Sequence, residues 1–295
     1  MDNSKGVLLF AHNNSEIDYG MMAYICAKYI EKNLNVPVSL ATDTGTVRWL
    51  AQQDPKFKDQ FDQIILTDHI PSPVFQEKKY YDGSLEYKKS TFGNGYRFNC
   101  YEFSPYEKTL VLDTDVLITN DRLKHIWDSK TDFMINSDHF DLARDRDVFE
   151  FQRVQDHGID FYWATMFYFE KTAWCKVFFD LCNHIIENYE FYRFVYQIPG
   201  QLMRNDYVVS IAIHIINGFN NKVKPESLPC QIYYTVDRDE LIKVDSDKEF
   251  LFLIQKKEYV GQYTLSRTSN QILHIMNKYS IIRNADRLLE VLNVG

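Results

Sequence analysis

The stretch KTLVLDTDVLITNDRLKHIWD, residues 108–128, decides how this sequence is interpreted. Its apolar run Thr109–Leu112 predicts a strand buried on both faces of a parallel sheet, and Asp113 and Asp115 follow directly. Alternate side chains of an extended backbone point the same way, so the two carboxylates can face one ion. Because carboxylates this close repel each other without a cation between them, the stretch predicts a site for Mn²⁺ or Mg²⁺.

The spacing of the two aspartates is weak evidence without this context. The chain holds three other aspartate pairs with one residue between them: Asp145/Asp147, Asp237/Asp239 and Asp245/Asp247. None of the three follows a predicted buried strand, and we interpret them as solvated turns. The strand that precedes Asp113 and Asp115 is what favours a metal site over a polar turn there.

Strands and helices alternate ahead of this stretch. Strands are predicted at Val7–Ala11, Val36–Ala41 and Ile64–Thr67, and helices after the capping residues Asn13-Asn14-Ser15 and at Val47–Gln53. The alternation predicts a doubly wound, mostly parallel α/β sheet with helices on both faces, which binds ligands at the carboxyl ends of its strands. Ala11, His12 and Asp43 lie at such ends, and the alternative for His12 and Asp43 is a role in the turn.

The remaining chain continues the α/β pattern after one interruption. From Pro71 to Tyr96 no period is clear, and a long functional loop is expected. The later predicted elements are strands at Phe133–Ile135 and Met166–Phe169, an amphipathic helix from the cap Thr172 through Trp174, Val177 and Phe178 to Tyr189, and a buried helix at Tyr207–Ile216 that Asn217-Gly218 ends. With no evident linker, residues 1–295 are expected to form a single domain.

Composition excludes several classes of protein. The formal net charge of −8 argues against general affinity for nucleic acid, although a local basic groove remains possible in principle. Five cysteines without a CxxC pair are typical of reduced thiols. The apolar run at residues 7–10 is too short for a signal peptide, and no run approaches the roughly 20 apolar residues of a membrane span. A cytoplasmic protein is expected, in a bacterium or in the host of a phage; the oligomeric state stays open.

The central stretch resembles the DxD region of GT-A-fold glycosyltransferases, in particular the retaining family of bacterial galactosyltransferases and glycogenin. The residues that match the family pattern are Leu112, Asp113, Asp115, Val116, Leu117, Leu123, Ile126, Trp127 and Asp128. The resemblance implies a GT-A, Rossmann-like sheet with a small second sheet, in which residues 1–130 bind the nucleotide and residues 131–295 bind the acceptor and complete the metal site. It also implies a nucleotide-sugar donor, with UDP-sugars as the expected class.

Further blocks agree with this family in their order along the chain. Arg97 lies where the family has a basic residue near the donor, and FYWATMFYFEKTAW (161–174) resembles the strand beside the donor sugar. In LHIMNK (273–278), His274 corresponds to the third metal ligand and Lys278 to the lysine that meets the diphosphate. The alternative for His274 is a buried histidine satisfied by backbone. Thr114 and Ala164 are expected to contact the donor as well.

RNDYVVSIAI (204–213) resembles the start of the family's buried helix. The match implies catalytic roles for Asn205 and Asp206 on the face of the sugar ring, while helix capping is the alternative for both. The sequence departs from the family at two places. Trp163-Ala164-Thr165 replaces Asn-Ala-Gly, which leaves the donor sugar open, and Met276-Asn277 replaces a segment with glycine between His274 and Lys278.

The acceptor is less constrained by the sequence. Asp138 and Trp163 are the candidate acceptor-side groups. Basic and aromatic residues interleave in Lys78-Lys79-Tyr80-Tyr81, Tyr87-Lys88-Lys89 and Tyr96-Arg97, which suits an anionic acceptor such as a hydroxymethylated base of phage DNA, or simply a solvated loop. A saccharide is the other acceptor class. Two alternative functions remain: a sugar-phosphate nucleotidyltransferase, which would need a Gly-rich basic loop after its first strand, and a non-catalytic carbohydrate-binding protein.

Overall fold

The computed structural model describes residues 4–70, 75–83, 86–93, 96–143, 146, 152–154, 158–198, 200, 202–256 and 261–293, so Asp145 and Asp147 lie outside the described part. The helices are α1 Tyr19–Leu34, α2 Thr44–Gln53, α3 Cys100–Phe103, α4 Ala173–Glu187, α5 Tyr189–Val195, α6 Asn205–Ile216, α7 Lys278–Arg283 and α8 Ala285–Asn293. Short 3-10 helices lie at Phe57–Gln60, Arg97–Asn99 and Arg122–Asp128. The strands are β1 Lys5–Ala11, β2 Val38–Thr42, β3 Gln63–Leu66, β4 Phe75–Asp82, β5 Glu86–Gly93, β6 Lys108–Leu112, β7 Val116–Leu117, β8 Phe133–Ile135, β9 Phe140–Asp141, β10 Arg153–Val154, β11 Ile159–Asp160, β12 Met166–Glu170, β13 Ile232–Thr235, β14 Glu240–Val244, β15 Glu249–Gln255, β16 Tyr263–Ser269 and β17 Ile272–Ile275.

The central sheet has six strands in the order β3-β2-β1-β6-β12-β8. Strands β3, β2, β1 and β6 are parallel, and β12 runs antiparallel to both of its neighbours. Two smaller sheets have the orders β7-β17-β13-β9 and β14-β15-β16, and β4 pairs with β5 as a hairpin. The predicted fold class, a mostly parallel α/β sheet with a small second sheet, is confirmed.

Side chains alternate along the central strands, and each face of the sheet buries its own core. On β1, Val7 and Leu9 pack into the core that α1 covers, whereas Leu8 packs into the core that α4 and α6 cover. On β6, Leu110 and Val111 divide between the two cores in the same way. Each large apolar side chain buried here stabilises the fold by roughly 1.5–3 kcal/mol. The continuous apolar runs in the sequence follow from this burial on both faces.

Several element ends and exposures differ from the sequence prediction. Helix α1 begins at Tyr19 and not after Ser15, because the side chain of Asp18 accepts the hydrogen bond from the Met21 amide and caps it. Strand β3 is half exposed and not buried, since it is the edge of the sheet. Trp174 and Val177 were expected on the buried face of α4, but they are exposed.

Strands β4 and β5 pair as a β-hairpin, so the prediction of a long functional loop from Pro71 to Tyr96 was wrong for the described part of that segment. One face of the hairpin packs on the rest of the molecule. The side chain of Gln76 exchanges two hydrogen bonds with the Met203 backbone, at 3.1 and 2.6 Å. The Tyr80 hydroxyl, buried, accepts hydrogen bonds from Asn14 and Tyr19 at 3.1 Å each. The hairpin therefore lies against both halves of the chain.

The C-terminal segment returns to the centre of the molecule through β17. Strand β17 pairs antiparallel with β7, which follows Asp115 directly. The amide of Ile275 also donates to the Asp115 carbonyl at 2.9 Å. These contacts place residues 272–278 next to the end of β6. Over the described residues, none of the helices combines the length and the apolar character that crossing a membrane would require.

Candidate functional site

Asp113 and Asp115 lie in the tight turn between β6 and β7. The amide of Asp113 donates to the Thr165 carbonyl at 2.8 Å, so the turn is joined to the segment that leads into β12. The side chain of Asp115 is buried, and that of Asp113 is partly exposed in a cavity. The sheet thus delivers both carboxylates to one place at the carboxyl end of β6, as the sequence predicts.

His274 joins these carboxylates through the pairing of β17 with β7, in which it lies opposite Val116. One ligand atom from each of Asp113, Asp115 and His274 lies within 4.8 Å of the other two. The sequence resemblance implied this set of three, and the described structure brings the three residues together.

Two cations compensate the carboxylates. Arg97 donates to Asp113 Oδ1 at 2.6 Å and to the Thr165 carbonyl at 3.0 Å, and Lys278 Nζ donates to Asp115 Oδ2 at 2.6 Å. Burial raises the pKa of Asp113, although the Arg97 guanidinium opposes the shift. Burial also acts to raise the pKa of Asp115, but Lys278 and His274 together outweigh it and hold the pKa of that carboxyl well below its usual range.

The donor atoms of these three residues suit a divalent cation. Two carboxylates and an imidazole form an oxygen-rich donor set that suits Mn²⁺ or Mg²⁺. The imidazole Nε2 of His274 lies 3.5 Å from Asp115 Oδ2, and its Nδ1 is buried with no hydrogen-bond partner among the described residues. Three protein ligands leave further positions of an octahedral ion for ligand oxygens and water.

A cavity of about 450 Å³ opens beside the ends of β1, β2 and β3. His12 lies in its wall, within hydrogen-bonding distance of Thr67 Oγ1 at 2.8 Å and stacked on Tyr96 with 5.2 Å between ring centroids. Burial lowers the pKa of His12. Asp43 also lines this cavity, and it caps α2 by accepting from the Thr46 amide at 2.8 Å. Ala11 is buried in β1 and is not among the described lining residues.

A second cavity, of about 400 Å³, contains the Asp-Asp-His cluster and shares His12 and Tyr96 with the first. Most of the remaining predicted residues line it: Arg97, Thr114, Trp163, Ala164, Asn205, Asp206 and Lys278. Asp206 lies in the first turn of α6 and accepts a hydrogen bond from the Ala164 amide at 2.9 Å, so it holds the wall that Trp163 and Ala164 form. Asp138 is exposed and is absent from the described lining, whereas its neighbour His139 stacks on Trp163 at 4.2 Å.

Sequence reasoning missed two parts of this cavity. The pair Asp237/Asp239 was interpreted as a solvated turn, and this was wrong. Asp239 is buried, and its carboxylate is paired with Arg146 at 2.6 Å and fixes the turn between β13 and β14 by accepting from the Val236 amide. Asp237 lines the cavity, where burial raises its pKa. Lys78 of β4 lines the same cavity, and only its place in a Lys-Lys-Tyr-Tyr run pointed to it.

The solved structures similar to this chain include GT-A-type glycosyltransferases. The glycosyltransferase GlyE of Streptococcus pneumoniae TIGR4 is 13% identical over 76% of this chain and 46% of its own, with a TM-score of 0.40. The galactosyltransferase LgtC, in complex with donor and acceptor sugar analogs, is 12% identical over 98% of this chain and 95% of its own, with a TM-score of 0.47. The chain spans about half the length of GlyE. No protein-family model and no curated protein matches the sequence.

These neighbours belong to the group of proteins that the sequence resembles. At these identities and TM-scores, no property of the neighbours is carried over to this chain. The chemistry of the cavity therefore has to come from the residues of this chain.

Proposed function

We propose that this protein is a metal-dependent glycosyltransferase that moves a sugar from a nucleotide-sugar, of the UDP class, to a hydroxyl acceptor. The observation that carries the proposal is the cluster of Asp113, Asp115 and His274, whose ligand atoms lie within 4.8 Å of one another in a cavity. The neighbouring cavity, with His12, Asp43 and Tyr96 in its walls, has the size and the polar lining to take the nucleoside.

The transfer breaks the bond between the anomeric carbon of the sugar and a diphosphate oxygen, which leaves negative charge on the nucleoside diphosphate. A divalent ion held by Asp113, Asp115 and His274 would supply positive charge against those oxygens. Lys278 and Arg97 place two further cations at the same end of the cavity. Such preorganised charge stabilises the charge that develops in the transition state, and no protein nucleophile is required for this step.

We assign the part of the cavity beside the start of α6 to the sugar and the acceptor. Asp206 fixes the Ala164 amide, and Asn205 and Trp163 line the space next to it. We assign Asn205 and Asp206 to the face of the sugar ring, with Trp163 and the carboxylate of Asp237 on the acceptor side. Asp138, exposed beside His139, stays a candidate for the outer part of the acceptor. The family resemblance favours a retaining course of transfer.

For the acceptor we favour a saccharide over DNA. The lysines of the hairpin do not form one basic surface, because Lys78 lies in the cavity while Lys88 pairs with Glu16 and Lys89 with Glu77. A gel-shift assay over a range of salt concentrations separates the two classes, since phosphate contacts weaken steeply with salt. Salt-dependent binding of DNA with hydroxymethylated bases would favour the DNA acceptor.

A cytoplasmic location is also part of the proposal. All five cysteines are free thiols, and four of them are buried. Reduced cysteines are typical of proteins that work in a reducing compartment. Alkylation of the protein in freshly lysed cells, followed by mass spectrometry, tests whether the thiols are reduced there.

The proposed function is tested by incubating the protein with several nucleotide-sugars and Mn²⁺ and measuring the released nucleoside diphosphate. Asp113→Ala and Asp115→Ala are expected to lower the rate by roughly 10²–10³-fold or more, a loss comparable to that of one preorganised charge-stabilising group. The matched control is Asp121→Ala, which removes an exposed carboxylate six residues further along the same stretch. Circular dichroism checks that the variants remain folded.

Full turnover by either cluster variant, or by the wild type in the presence of a strong chelator, would contradict the proposal. A sugar-phosphate nucleotidyltransferase would instead release pyrophosphate from a nucleoside triphosphate and a sugar phosphate. A non-catalytic carbohydrate-binding protein would bind a sugar and release neither product. Release of nucleoside diphosphate from a nucleotide-sugar therefore separates the proposed function from both alternatives, and a parallel incubation with a nucleoside triphosphate and a sugar phosphate, measured as released pyrophosphate, separates these two from each other.

A further inference from the structure

Lys78 is a cation in the cavity that contains the Asp-Asp-His cluster, and the roles assigned above do not use it. It lies on β4, on the face of the hairpin that packs against the molecule, between Gln76 and Tyr80. Its ammonium lies between two aromatic rings, 5.4 Å from the centroid of Tyr80 and 5.2 Å from that of Phe92. Asp115, Lys278 and Asp237 line the same cavity.

The charge of Lys78 is not balanced by a direct partner. Among the described residues, it forms neither an ion pair nor a hydrogen bond, in contrast to Arg97 and Lys278, which both pair with carboxylates. Burial and, to a smaller extent, the nearby charge of Lys278 lower the pKa of Lys78 to about 8, against the opposing effect of Asp115. A buried ammonium without a partner costs free energy of folding, and two ring contacts offset only part of that cost.

The hairpin holds this cation at a fixed place. On one side of Lys78, Gln76 exchanges two hydrogen bonds with the Met203 backbone. On the other side, the Tyr80 hydroxyl accepts from Asn14 and Tyr19. Because both neighbours on the same face are fastened, the backbone of β4 at Lys78 is held beside the cavity.

We propose that Lys78 binds the diphosphate group of the ligand, in the cavity that also contains Lys278 and the Asp-Asp-His cluster. The inference deepens the proposed function and rests on it, because it names the anionic group that the hairpin recognises. A divalent ion held by Asp113, Asp115 and His274 would neutralise the two carboxylates, and the charges of Arg97, Lys278 and Lys78 would then exceed that of Asp237, so the cavity would have an excess of positive charge. A ligand with at least two negative charges, such as a pyrophosphate group, offsets that excess.

The test is isothermal titration calorimetry of inorganic pyrophosphate and of UDP, each in the presence of Mn²⁺. Lys78→Met keeps the length and the apolar part of the side chain but removes its charge. We expect it to weaken the binding of both ligands by about 10-fold or more, the usual loss for a hydrogen bond to a charged group. The matched control is Lys89→Met on the outer, exposed face of the same hairpin, for which we expect unchanged affinity.

The outcomes separate this inference from the function on which it rests. If the wild type binds pyrophosphate and UDP, and Lys78→Met binds them equally well, the role of Lys78 is overturned while the proposed function stands. If the wild type binds neither ligand with Mn²⁺ present, the proposed function fails, and the role of Lys78 fails with it. An equal loss for Lys89→Met would mean that general surface charge, and not a contact in the cavity, drives the binding.

Discussion

At the scale of single residues, the charge of Lys78 destabilises the fold of the ligand-free protein, whereas we propose that it binds the diphosphate in the complex. Its pKa is about 8 in the folded state and 10.5 in the absence of perturbation. Because the folded-state value is the lower one, the folded protein binds this proton less tightly than the unfolded chain does. The charge therefore destabilises the fold fully below about pH 8, less between about pH 8 and 10.5, and not at all at higher pH.

Lys78→Met should accordingly stabilise the metal-free and ligand-free protein at pH 7. We expect the melting temperature to rise by about 2–4 °C, the change that 1 kcal/mol produces in a protein somewhat smaller than this one. The difference should disappear above about pH 10.5. Differential scanning calorimetry at pH 7 and at pH 10.5 and above measures both values.

Lys89→Met serves as the control, because Lys89 is exposed and paired with Glu77. A gain in stability for Lys78→Met that is equal at both pH values would mean that methionine packs better at this position and that the charge is irrelevant. The charged groups that act on Lys78 are Lys278, Asp115, Arg204 and Asp237, so these are the residues whose substitution should move the effect.

The sequence predicted the roles of single residues unevenly. Asp113 and Asp115 could be selected because a buried strand precedes them. Asp239 could not be selected in the same way, because its burial depends on Arg146, a residue far away in the sequence. The chemistry of a carboxylate is visible in a sequence, but its solvent exposure is a property of the packed molecule.

At the scale of elements, the side chain of Gln76 joins the β4–β5 hairpin to the Met203 backbone in the segment before α6. Gln76→Ala removes both hydrogen bonds to the Met203 backbone. Since a typical hydrogen bond contributes about 0.5–1.5 kcal/mol and two are lost, we expect the amides of β4 and β5 to exchange with solvent about 5- to 150-fold faster. Hydrogen–deuterium exchange with peptide-level mass spectrometry measures this change.

Glu77→Ala is the matched control for this prediction. Glu77 is the next residue of β4, lies on the outer face, and pairs there with Lys89, so its loss should leave the exchange of the hairpin nearly unchanged. If Gln76→Ala left the protection of the hairpin intact, the docking of β4 would have to come from its other contacts, which include those of Tyr80 with Asn14 and of Asp82 with Arg283.

Elements with a continuous apolar run could be predicted well, and the hairpin could not. Strands β1 and β6 bury both faces, which leaves an unbroken run of apolar residues in the sequence. The inner face of β4 instead carries Gln76, Lys78 and Tyr80, and its outer face includes the charged residues Glu77 and Lys79. Apolar and polar residues therefore do not alternate along this strand. Polar contacts with residues that are distant in the sequence hold this strand in position, and a local pattern of hydrophobic residues does not reveal such contacts.

At the scale of the whole molecule, the pairing of β7 with β17 joins the middle and last thirds of the chain at the site. A divalent ion held by Asp113, Asp115 and His274 should therefore stabilise the entire fold. At an Mn²⁺ concentration 100 times the dissociation constant, the expected gain is about 2.7 kcal/mol. With roughly 2–4 °C per kcal/mol, the melting temperature should rise by about 5–10 °C.

His274→Ala is expected to lose most of this rise, while His125→Ala is expected to keep it. His125 is an exposed histidine, so it controls for the loss of an imidazole from the surface. Thermal melts of the three proteins with and without Mn²⁺ provide the measurement. Equal shifts in the wild type and in His274→Ala would remove His274 from the proposed ligand set.

The resemblance to a family was needed to connect His274 with the aspartates. Residue patterns alone leave a histidine in the apolar segment LHI without a defined partner, because nothing local specifies which strand β17 will join. The antiparallel pairing of β17 with β7 is a long-range contact, and its register decides that His274 faces Asp115 and that its neighbours Leu273 and Ile275 face the core.

The same pairing has a consequence for how the protein is made. A ribosome translates the segment with Asp113 and Asp115 long before it reaches residue 274, so a nascent chain carries two ligands of the proposed metal without the third. The cluster can form only after residues 272–278 have left the exit tunnel and β17 has paired with β7. A nascent chain that stops before residue 274 therefore lacks the third ligand of the proposed metal.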